Sequence, residues 1–349
     1  MTRGTGPARD RDRADVVTMA HGAGGKASQA LVQSVFARAF ANPALDAMGD
    51  AALVDVPAGR LAFSTDSFVV SPLDFPGGCL GDLAVNGTVN DLAACGATPL
   101  ALSAGFIVEE GFPRSELEHQ ARAMAQAAAR AGVAVVTGDT KVVQRGRGDG
   151  CYVNTSGIGL VSPSALAISP AAARPGDRVL VSGPIGDHGT AVMLARGELG
   201  LEADVVSDTA ALADLVQALL GAVGGAVHCL RDPTRGGVAS VLNEIAASSG
   251  TAVVVNERDV PVRDGVRGVC ELLGLDPLYV ACEGRMLAFV SPGAAGAALE
   301  AMRAHPMGAG AADIGYVTAD PAGMVLAESG FGGPRVLDML VGDPLPRIC

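Results

Sequence analysis

The sequence lacks tryptophan, and aromatic residues make up only 3% of its 349 positions. Positive charge is also scarce, because 25 Lys and Arg face 37 Asp and Glu, and the net charge of −12 argues against a nucleic-acid or anionic-membrane surface. No run approaches the roughly 18 apolar residues of a membrane-spanning helix, and residues 1–15 lack the apolar core of a signal peptide. We therefore expect a cytoplasmic protein that binds neither nucleic acid nor membrane.

The seven cysteines lack any Cys-x-x-Cys spacing, and their odd number indicates neither a disulfide framework nor a zinc site. Cys349 is the last residue, whereas a prenylation signal places three residues after its cysteine. The glycine-rich segment Gly330-Phe-Gly-Gly333 suits the hinge of a carrier arm that moves this sulfur between sites. An incidental cysteine in a disordered end is the alternative. The adjoining α-carboxylate should raise the pKa of the thiol unless a cation lies beside it.

What is present is a chain long enough for about two domains of roughly 150 residues, with 49% hydrophobic residues. The most regular helical pattern covers 115–131, with Ser115 and Glu118 as a capping box and Gly132 as its stop. Apolar runs predict strands at 16–20, 133–137 and 151–161, and a hairpin formed by 51–56 and 61–65. These patterns predict an α/β (α+β) fold with a disordered lead-in over 1–15, domains over 16–165 and 166–329, and a flexible tail over 330–349.

Acidic side chains recur near predicted strand ends and turns, and on one predicted helix. Each alone is more often a turn or cap residue. Several that converge would suit Mg²⁺, a hard cation that takes oxygen ligands and substrate phosphates. The members are Asp50, Asp66, Asp139 and Asp232 near strand ends or turns, and Asp91 on a helix that also carries Asn86 and Asn90.

Three glycine-rich loops precede predicted helices. His21-Gly-Ala-Gly-Gly-Lys26 is not a Walker A motif, and both a flexible turn and an anion-binding nest remain open for it. Gly183-Pro-Ile-Gly-Asp-His-Gly189 is more typical of a structural turn, although Asp187 and His188 could meet a substrate. Arg231-Asp-Pro-Thr-Arg-Gly-Gly237 is favoured as a phosphate or metal loop.

The order of these motifs resembles the HypE family of carbamoyl dehydratases of hydrogenase maturation. That family belongs to an ATP-dependent superfamily with aminoimidazole ribonucleotide synthetase (PurM), selenophosphate synthetase and thiamine-monophosphate kinase. The resemblance covers nearly the whole chain after about residue 16. Its matching segments are His21-Gly-Ala-Gly-Gly25, Ser64-Thr-Asp-Ser-Phe-Val69, Gly81-Asp-Leu-Ala-Val-Asn-Gly-Thr-Val-Asn-Asp-Leu-Ala93, Gly138-Asp-Thr-Lys141, Ser182-Gly-Pro-Ile-Gly-Asp-His-Gly189, Asp232-Pro-Thr-Arg-Gly-Gly237 and Pro346-Arg-Ile-Cys349.

The resemblance implies a PurM-like two-domain fold in which the N-terminal sheets of two subunits form a dimer β-barrel. It implies that ATP drives dehydration of a carbamoyl group on Cys349 to a thiocyanate, which supplies the cyanide ligand for the iron of [NiFe]-hydrogenase. A HypF-like carbamoyltransferase would load the cysteine and a HypC–HypD-like complex would accept the cyano group. Mg²⁺ is expected on Asp50, Asp66, Asp91, Asp139 and Asp232, and the nucleotide on Asp66, Asn86, Asn90, Asp91, Gly138, Asp139, Thr140, Thr234, Arg235 and Gly236.

Lys141 and Glu283 are the candidate bases for removal of the nitrogen protons, and the choice between them stays open. One rival function is another enzyme of the superfamily. Selenophosphate synthetase would place a reactive cysteine in the N-terminal glycine loop, and none stands between Gly22 and Gly25. The other rival is a non-catalytic carrier that presents Cys349 and binds nucleotide only for regulation.

Overall fold

The computed structural model describes residues 16–23, 25–46, 51–330, 333–340 and 347–349, with only the backbone of Asp46 included. The predicted lead-in over 1–15 and the predicted ligand Asp50 lie outside these residues, as do two residues of the predicted hinge. Within the described part of the chain, no helix is both long and apolar enough to cross a membrane.

The first half of the chain forms a four-stranded sheet covered by helices. Its strand order is β1-β6-β4-β5, with β4 and β5 parallel and the other neighbours antiparallel, and β2 and β3 form a separate hairpin. The elements are α1 (Lys26–Leu31), α2 (Ala37–Ala39), α3 (Pro43–Asp46), β1 (Leu61–Phe68), β2 (Asp74–Phe75), β3 (Gly78–Cys79), α4 (Leu80–Ala94), β4 (Ala97–Glu109), α5 (Arg114–Arg130), β5 (Ala134–Val143) and β6 (Cys151–Val161).

The second half forms a seven-stranded sheet of order β13-β12-β9-β11-β7-β10-β8. Only β12 and β9 run parallel in it. The elements are β7 (Arg178–Val181), α6 (Asp187–Ala195), α7 (Ala213–Val223), β8 (Val227–Arg231), α8 (Gly237–Ser249), β9 (Ala252–Asn256), α9 (Asp264–Leu273), β10 (Leu287–Val290), α10 (Ala295–Ala304), β11 (Ala312–Thr318), β12 (Val325–Glu328) and β13 (Arg335–Leu337).

Helix α4 is the central element that joins the two halves. Its sequence mixes Leu, Val and Ala with glycine and has no single apolar face, and nearly every residue of it is buried. It packs on β1, β6 and α5 on one side and on α7 on the other. A Cβ on Gly81 would lie 2.3 Å from the carbonyl oxygen of Gln120 on α5, so the close approach of these helices requires glycine. The helix thus holds Asp91 in a fixed place between the two sheets.

Several local predictions were wrong. Residues 51–60, all described, form no strand, and β1 pairs instead with the distant β6, so the predicted hairpin is absent. The segment 16–20 contributes only a bridge from Val16 to Pro113. Helix α5 begins at Arg114 after Pro113, without the predicted capping box, because Glu118 pairs with Arg114 at 3.3 Å.

Other predictions placed side chains or segments in the wrong setting. Asp66 and Asp139 lie inside β1 and β5 rather than at strand ends, since both strands continue beyond the predicted limits. Strand β13 lies within the predicted flexible tail 330–349, where it closes one edge of the second sheet. This part of the tail is therefore held by backbone hydrogen bonds.

Candidate active site

Four carboxyl groups from distant segments face one another between the two sheets. Asp66 comes from β1, Asp91 from α4, Asp232 from the loop after β8, and Glu283 from the loop before β10. Ser64, two residues before Asp66 on the same face of β1, donates a hydrogen bond of 2.6 Å to Asp91. The structure therefore unites these four of the predicted site residues.

Burial and mutual repulsion raise the pKa values of these carboxyl groups. Burial is the main cause for Asp66 and Asp91, and Arg235 and Arg231 respectively oppose the rise. The pKa of Asp232 reaches about 7, through burial and then through the charge of Asp91. Arg231 and Arg235 offset these rises only in part, so the carboxyl groups favour their neutral forms and could provide oxygen ligands to a cation.

Glu283 is the most deeply placed member, with 3% of its surface exposed. Burial and the neighbouring carboxyl groups, Asp232 first, raise its pKa well above the usual range. Its amide donates to buried Asp208 at 3.1 Å, and its Oε1 has no hydrogen-bond partner among the described residues. The next residue, Gly284, passes so close to Asp208 that a Cβ would lie 1.7 Å from its carbonyl oxygen, which fixes the Glu283 loop against the 207–212 segment.

The C-terminal cysteine is docked at this cluster. The amide of Val69, just after β1, donates to the backbone oxygen of Cys349 at 3.1 Å. Burial, followed by the charge of Glu283, raises the pKa of the Cys349 thiol well above its usual range, and a hydrogen bond from Arg235 opposes this rise. The sulfur that the sequence singled out therefore rests beside Glu283, Arg235 and Asp66.

A second group of predicted residues lies elsewhere in the chain. Lys141 pairs with Asp139 at 2.7 Å on the exposed face of β5, and this pair lowers the pKa of Asp139. Strands β1 and β5 are the opposite edges of the first sheet. Three inter-strand spacings of about 4.8 Å separate them by roughly 14 Å. Within one protomer, Asp139 and Lys141 therefore do not join the acidic cluster, contrary to the prediction of one magnesium site.

Each group lines its own cavity. One of about 400 Å³ lies between the two halves and is lined by Ser64, Asp91, Asp232 and Thr234. The other, of about 250 Å³, is lined by Gly138, Asp139, Thr140 and Lys141 together with His21 and apolar residues of the first helices. The predicted phosphate-binding residues are thus split between two openings.

The two predicted asparagines have structural partners instead of free polar groups. Asn90 donates to the carbonyl oxygens of Ala210 and Glu283, at 3.0 and 3.2 Å, and accepts from the amide of Leu212. Asn86 donates to Thr209 at 3.1 Å. Both side chains tie α4 to the 207–212 segment, and their predicted contact with the nucleotide stays a prediction.

The loop after β8 keeps its predicted place. Asp232 and Thr234 line the larger cavity, Arg235 is exposed beside Asp66 and Cys349, and Gly236 adopts a φ of 73° where α8 begins. A Cβ on Gly236 would lie 2.0 Å from the hydroxyl of Ser240, so this start of the helix requires glycine.

The donor set of the acidic cluster fits Mg²⁺ better than a soft metal. Mg²⁺ commonly takes one or two carboxylates and completes its shell with water and substrate phosphates, so it needs no closed protein cage. Among the described residues, only Asp74, Cys79 and His119 offer three ligand atoms within 4.8 Å of one another, and they lie on the β2–β3 hairpin and α5. The oxygen atoms of Asp66, Asp91 and Asp232 do not meet this distance among the described residues, so they could hold a cation only if water or a phosphate completed its shell.

Sequence reasoning missed two residues of the site. Ser64 lies in a segment that the motif comparison quoted, and its position two residues from Asp66 was the available signal. Asp208 carried no signal, because its role is to hold the Glu283 amide, which lies 75 positions away in the sequence.

Comparison with known proteins extends the picture. The N-terminal domain model of AIR synthase related proteins matches residues 48–161, and the C-terminal domain model matches 174–327. The chain is 54% identical over 333 residues to the carbamoyl dehydratase HypE of Azotobacter vinelandii, covering 95% of this chain and 97% of that protein. Both the predicted fold class and the predicted resemblance are confirmed.

Two solved structures are similar throughout. A crystal structure of the hydrogenase maturation protein HypE in complex with ATP has a TM-score of 0.91 and 48% identity, covering 95% of this chain and 99% of that one. A crystal structure of a HypE–HypF complex has a TM-score of 0.78 and 47% identity, covering 89% and 100%.

Proposed function

Because the chain belongs to the HypE family of AIR synthase related proteins, we propose that it is the ATP-dependent carbamoyl dehydratase that converts a carbamoyl group on Cys349 into a thiocyanate. The product would supply the cyanide ligand of the iron in [NiFe]-hydrogenase. A HypF-like carbamoyltransferase would load the cysteine, in keeping with the HypE–HypF complex to which the chain is similar. A HypC–HypD-like complex would take the cyano group.

The observation that carries this proposal is the position of Cys349. Its thiol lies beside Glu283, Asp66 and Arg235, so a group attached to the sulfur would enter the space between the acidic cluster and the loop after β8. A carrier that only presents its thiol to other proteins gains nothing from a place beside Glu283 and Asp66, where their charges raise the pKa of the thiol. The placement therefore favours chemistry on the attached group.

The reaction removes the elements of one water from the carbamoyl group. Its oxygen attacks the γ-phosphorus of ATP, the bond to the bridging oxygen breaks, and ADP leaves. The nitrogen then loses both of its protons, the carbon–oxygen bond breaks to release phosphate, and the nitrile forms. Without phosphorylation the leaving group would be hydroxide, which departs poorly. Bound Mg²⁺ would neutralise phosphate charge.

The chain's own residues have separable tasks in this scheme. Arg235, exposed beside the sulfur, would face negative charge that develops on the transferred group. Glu283, whose charge acts on the Cys349 thiol, would accept a nitrogen proton. A cation on Asp66, Asp91 or Asp232 would lower the pKa of Glu283 and so permit it to act as a base.

Asp139 and Lys141 would enter the site from a second copy of the chain. Strands β1 and β5 are both edges of the first sheet, and Phe63 and Leu61 on β1 are 72% and 44% exposed. If β1 pairs with β5 of a partner subunit, the dimer β-barrel closes and the partner's Asp139 and Lys141 reach Asp66. The homodimer then restores the single site that the sequence predicted, and Lys141 would contact phosphate rather than the amide.

The decisive experiment follows the mass of the carbamoylated protein. The purified chain is loaded with a partner transferase or with cyanate, then incubated with and without MgATP, and the C-terminal peptide is mapped. Loss of one water from that peptide only with ATP supports the proposal, and Cys349→Ala is the control. ATP hydrolysis with an unchanged carbamoyl group would favour the carrier or another enzyme of the superfamily.

The shared site is tested by mixing two inactive variants. Lys141→Ala and Glu283→Gln subunits are combined under exchange conditions, and single-turnover dehydration is measured. If the site takes Lys141 from the partner subunit, each mixed dimer contains one site with both residues intact and activity returns. If both residues act within one protomer, no mixed dimer has an intact site and the mixture stays inactive.

A further inference from the structure

The last three residues are held by backbone hydrogen bonds to the segment that follows β1. The amide of Val69 donates to the backbone oxygen of Cys349, and the amide of Ser71 donates to the carbonyl oxygen of Arg347, each at 3.1 Å. The two stretches run in opposite directions, as in a short antiparallel pair. These contacts fix the register of the tail against residues 69–71, and therefore the position of Cys349.

His188, at the start of α6, completes the set of donors to the tail. Its Nε2 lies 2.9 Å from the carbonyl oxygen of Ile348, and its Nδ1 lies 2.8 Å from the hydroxyl of Ser207. A carbonyl oxygen only accepts, so Nε2 carries the proton. The hydroxyl of Ser207 already accepts from the amide of Thr209 at 3.1 Å and directs its own proton to Nδ1. The loop 207–209 therefore fixes the tautomer that binds the tail.

The setting of this imidazole couples it to the docked tail. His188 has no exposed surface, and its ring meets the ring of Phe75 edge-on, with the centroids 5.3 Å apart. Ile348 is 2% exposed and belongs to the same hydrophobic cluster as Phe75. If the tail leaves, the Nε2 proton of a buried ring loses its acceptor and Ile348 enters water, and both changes are unfavourable.

Arg196, at the end of α6, holds the same stretch from the other side. Its Nε donates to the carbonyl oxygen of Ser71 at 2.9 Å, and its Nη2 donates to that of Arg347 at 3.0 Å. The side chain of Arg347 in turn donates to the carbonyl oxygen of Val69 at 3.2 Å and forms an ion pair with Asp149. All three backbone carbonyl groups of the tail thus have donors.

We propose that His188, Ser207 and Arg196 form a binding site for the chain's own C-terminal tripeptide, and that His188 is the positioning residue that sets Cys349 at the acidic cluster. The ligand is an extended peptide end, recognised by its carbonyl groups and by an apolar side chain before the last residue. Docking itself does not depend on the reaction, whereas its consequence for dehydration rests on the proposed function.

The test is the rate at which a maleimide labels each cysteine of the full-length, nucleotide-free protein, read by peptide mass. Exposed Cys95 is the internal reference, and buried Cys151, Cys229 and Cys282 report any loss of the fold. Loss of one hydrogen bond to the tail should raise labelling of Cys349 about fivefold in His188→Ala. His188→Gln, which keeps an N–H donor, should stay within about twofold of the wild type.

Two further variants make the result decisive. Ser207→Ala removes the hydroxyl that fixes the tautomer of His188 and should also speed labelling of Cys349. If labelling of the buried cysteines shows that His188→Ala has lost its fold, the Ser207→Ala result replaces it as the test. His305→Ala, a histidine at a distant helix start, should leave all rates unchanged. Equal labelling of Cys349 in the wild type, His188→Ala and Ser207→Ala would overturn the proposal.

The reaction supplies a separate readout. In His188→Ala, loading of Cys349 by the transferase should persist, while single-turnover dehydration of the loaded protein should slow by a similar factor. Faster labelling without slower dehydration would retain the docking site but remove its positioning role. Normal docking of the tail without dehydration in either the wild type or the variants would instead reject the proposed function.

Discussion

Replacement of Asp232 by asparagine should stabilise the nucleotide-free protein at the expense of its activity. Burial and the charge of Asp91 raise the pKa of Asp232 from 3.8 to about 7. An acid whose pKa is higher in the folded state binds its proton more tightly there, so its ionisation costs stability as the pH rises from about 4 through 7. Three units at 1.36 kcal/mol each set an upper limit of about 4 kcal/mol above pH 8.

The expected result is a change that depends on pH. At pH 8 the Asp232→Asn protein should exceed the wild type by about 2 to 4 kcal/mol in the free energy of unfolding, because it buries no charge. At pH 3, below both the folded and the unfolded pKa, Asp232 is mostly neutral in both states and the difference should nearly vanish. Thermal and urea unfolding at several pH values, without nucleotide or divalent cation, measure this. Asp214→Asn, at an exposed position on α7, is the matched control.

MgATP provides the second arm of the same experiment. A cation and phosphates at the cluster should stabilise the wild type at pH 8 and should stabilise the Asp232→Asn variant much less, since one oxygen ligand has lost its charge. A variant that is no more stable than the wild type at pH 8, or equally different at pH 3, would refute the idea that ionisation of Asp232 destabilises the nucleotide-free protein.

Three further changes probe the site and its support. Glu283→Gln should keep ATP binding and loading of Cys349 but slow dehydration by at least about 100-fold, the usual size of a general-base contribution, measured by single-turnover mass analysis; wild-type rates would exclude Glu283 as the base. Gly284→Ala should destabilise the protein by more than about 2 kcal/mol in urea unfolding, because its Cβ would lie 1.7 Å from the carbonyl oxygen of Asp208, whereas Gly293→Ala, in open space, should not. Deletion of residues 1–15 should leave dehydration intact, and a large loss would assign that extension a role.

The parts of the site that the sequence predicted are those set by local patterns. Pro233 and the glycines 236 and 237 near Asp232 predict the loop after β8. The Leu, Val and Ala residues around Asn86, Asn90 and Asp91 predict α4. Both signals act within a few residues of the side chain concerned. The structure kept each of these residues where the pattern placed it.

Long-range pairing is the part that the sequence could not predict. The residues around Asp139 carry no signal that β5 lies three strands from β1, because strand order depends on contacts between segments that are far apart in the chain. Asn90 looked like a ligand because a polar residue inside an apolar helix needs a partner, and its partners came from the 207–212 segment instead. The sequence favours a structural role for His188 and leaves contact with a substrate open, and the contact that the structure shows, with Ile348, spans 160 positions.

The docked tail also bears on when the sulfur can be loaded. In the docked position the backbone of 347–349 is held on three sides, Ile348 is buried, and the Cys349 thiol has a pKa well above its usual range, so it is mostly neutral and a poor nucleophile. A transferase that must reach the sulfur would meet the acidic cluster and the loop after β8 instead. If a transferase loads Cys349 as proposed, we expect it to act on the undocked tail, and the hydrogen bonds to His188 and Arg196 should then break for loading and re-form afterwards. A few hydrogen bonds thus set how often the tail is docked, and substitutions at His188 or Arg196 would shift that equilibrium.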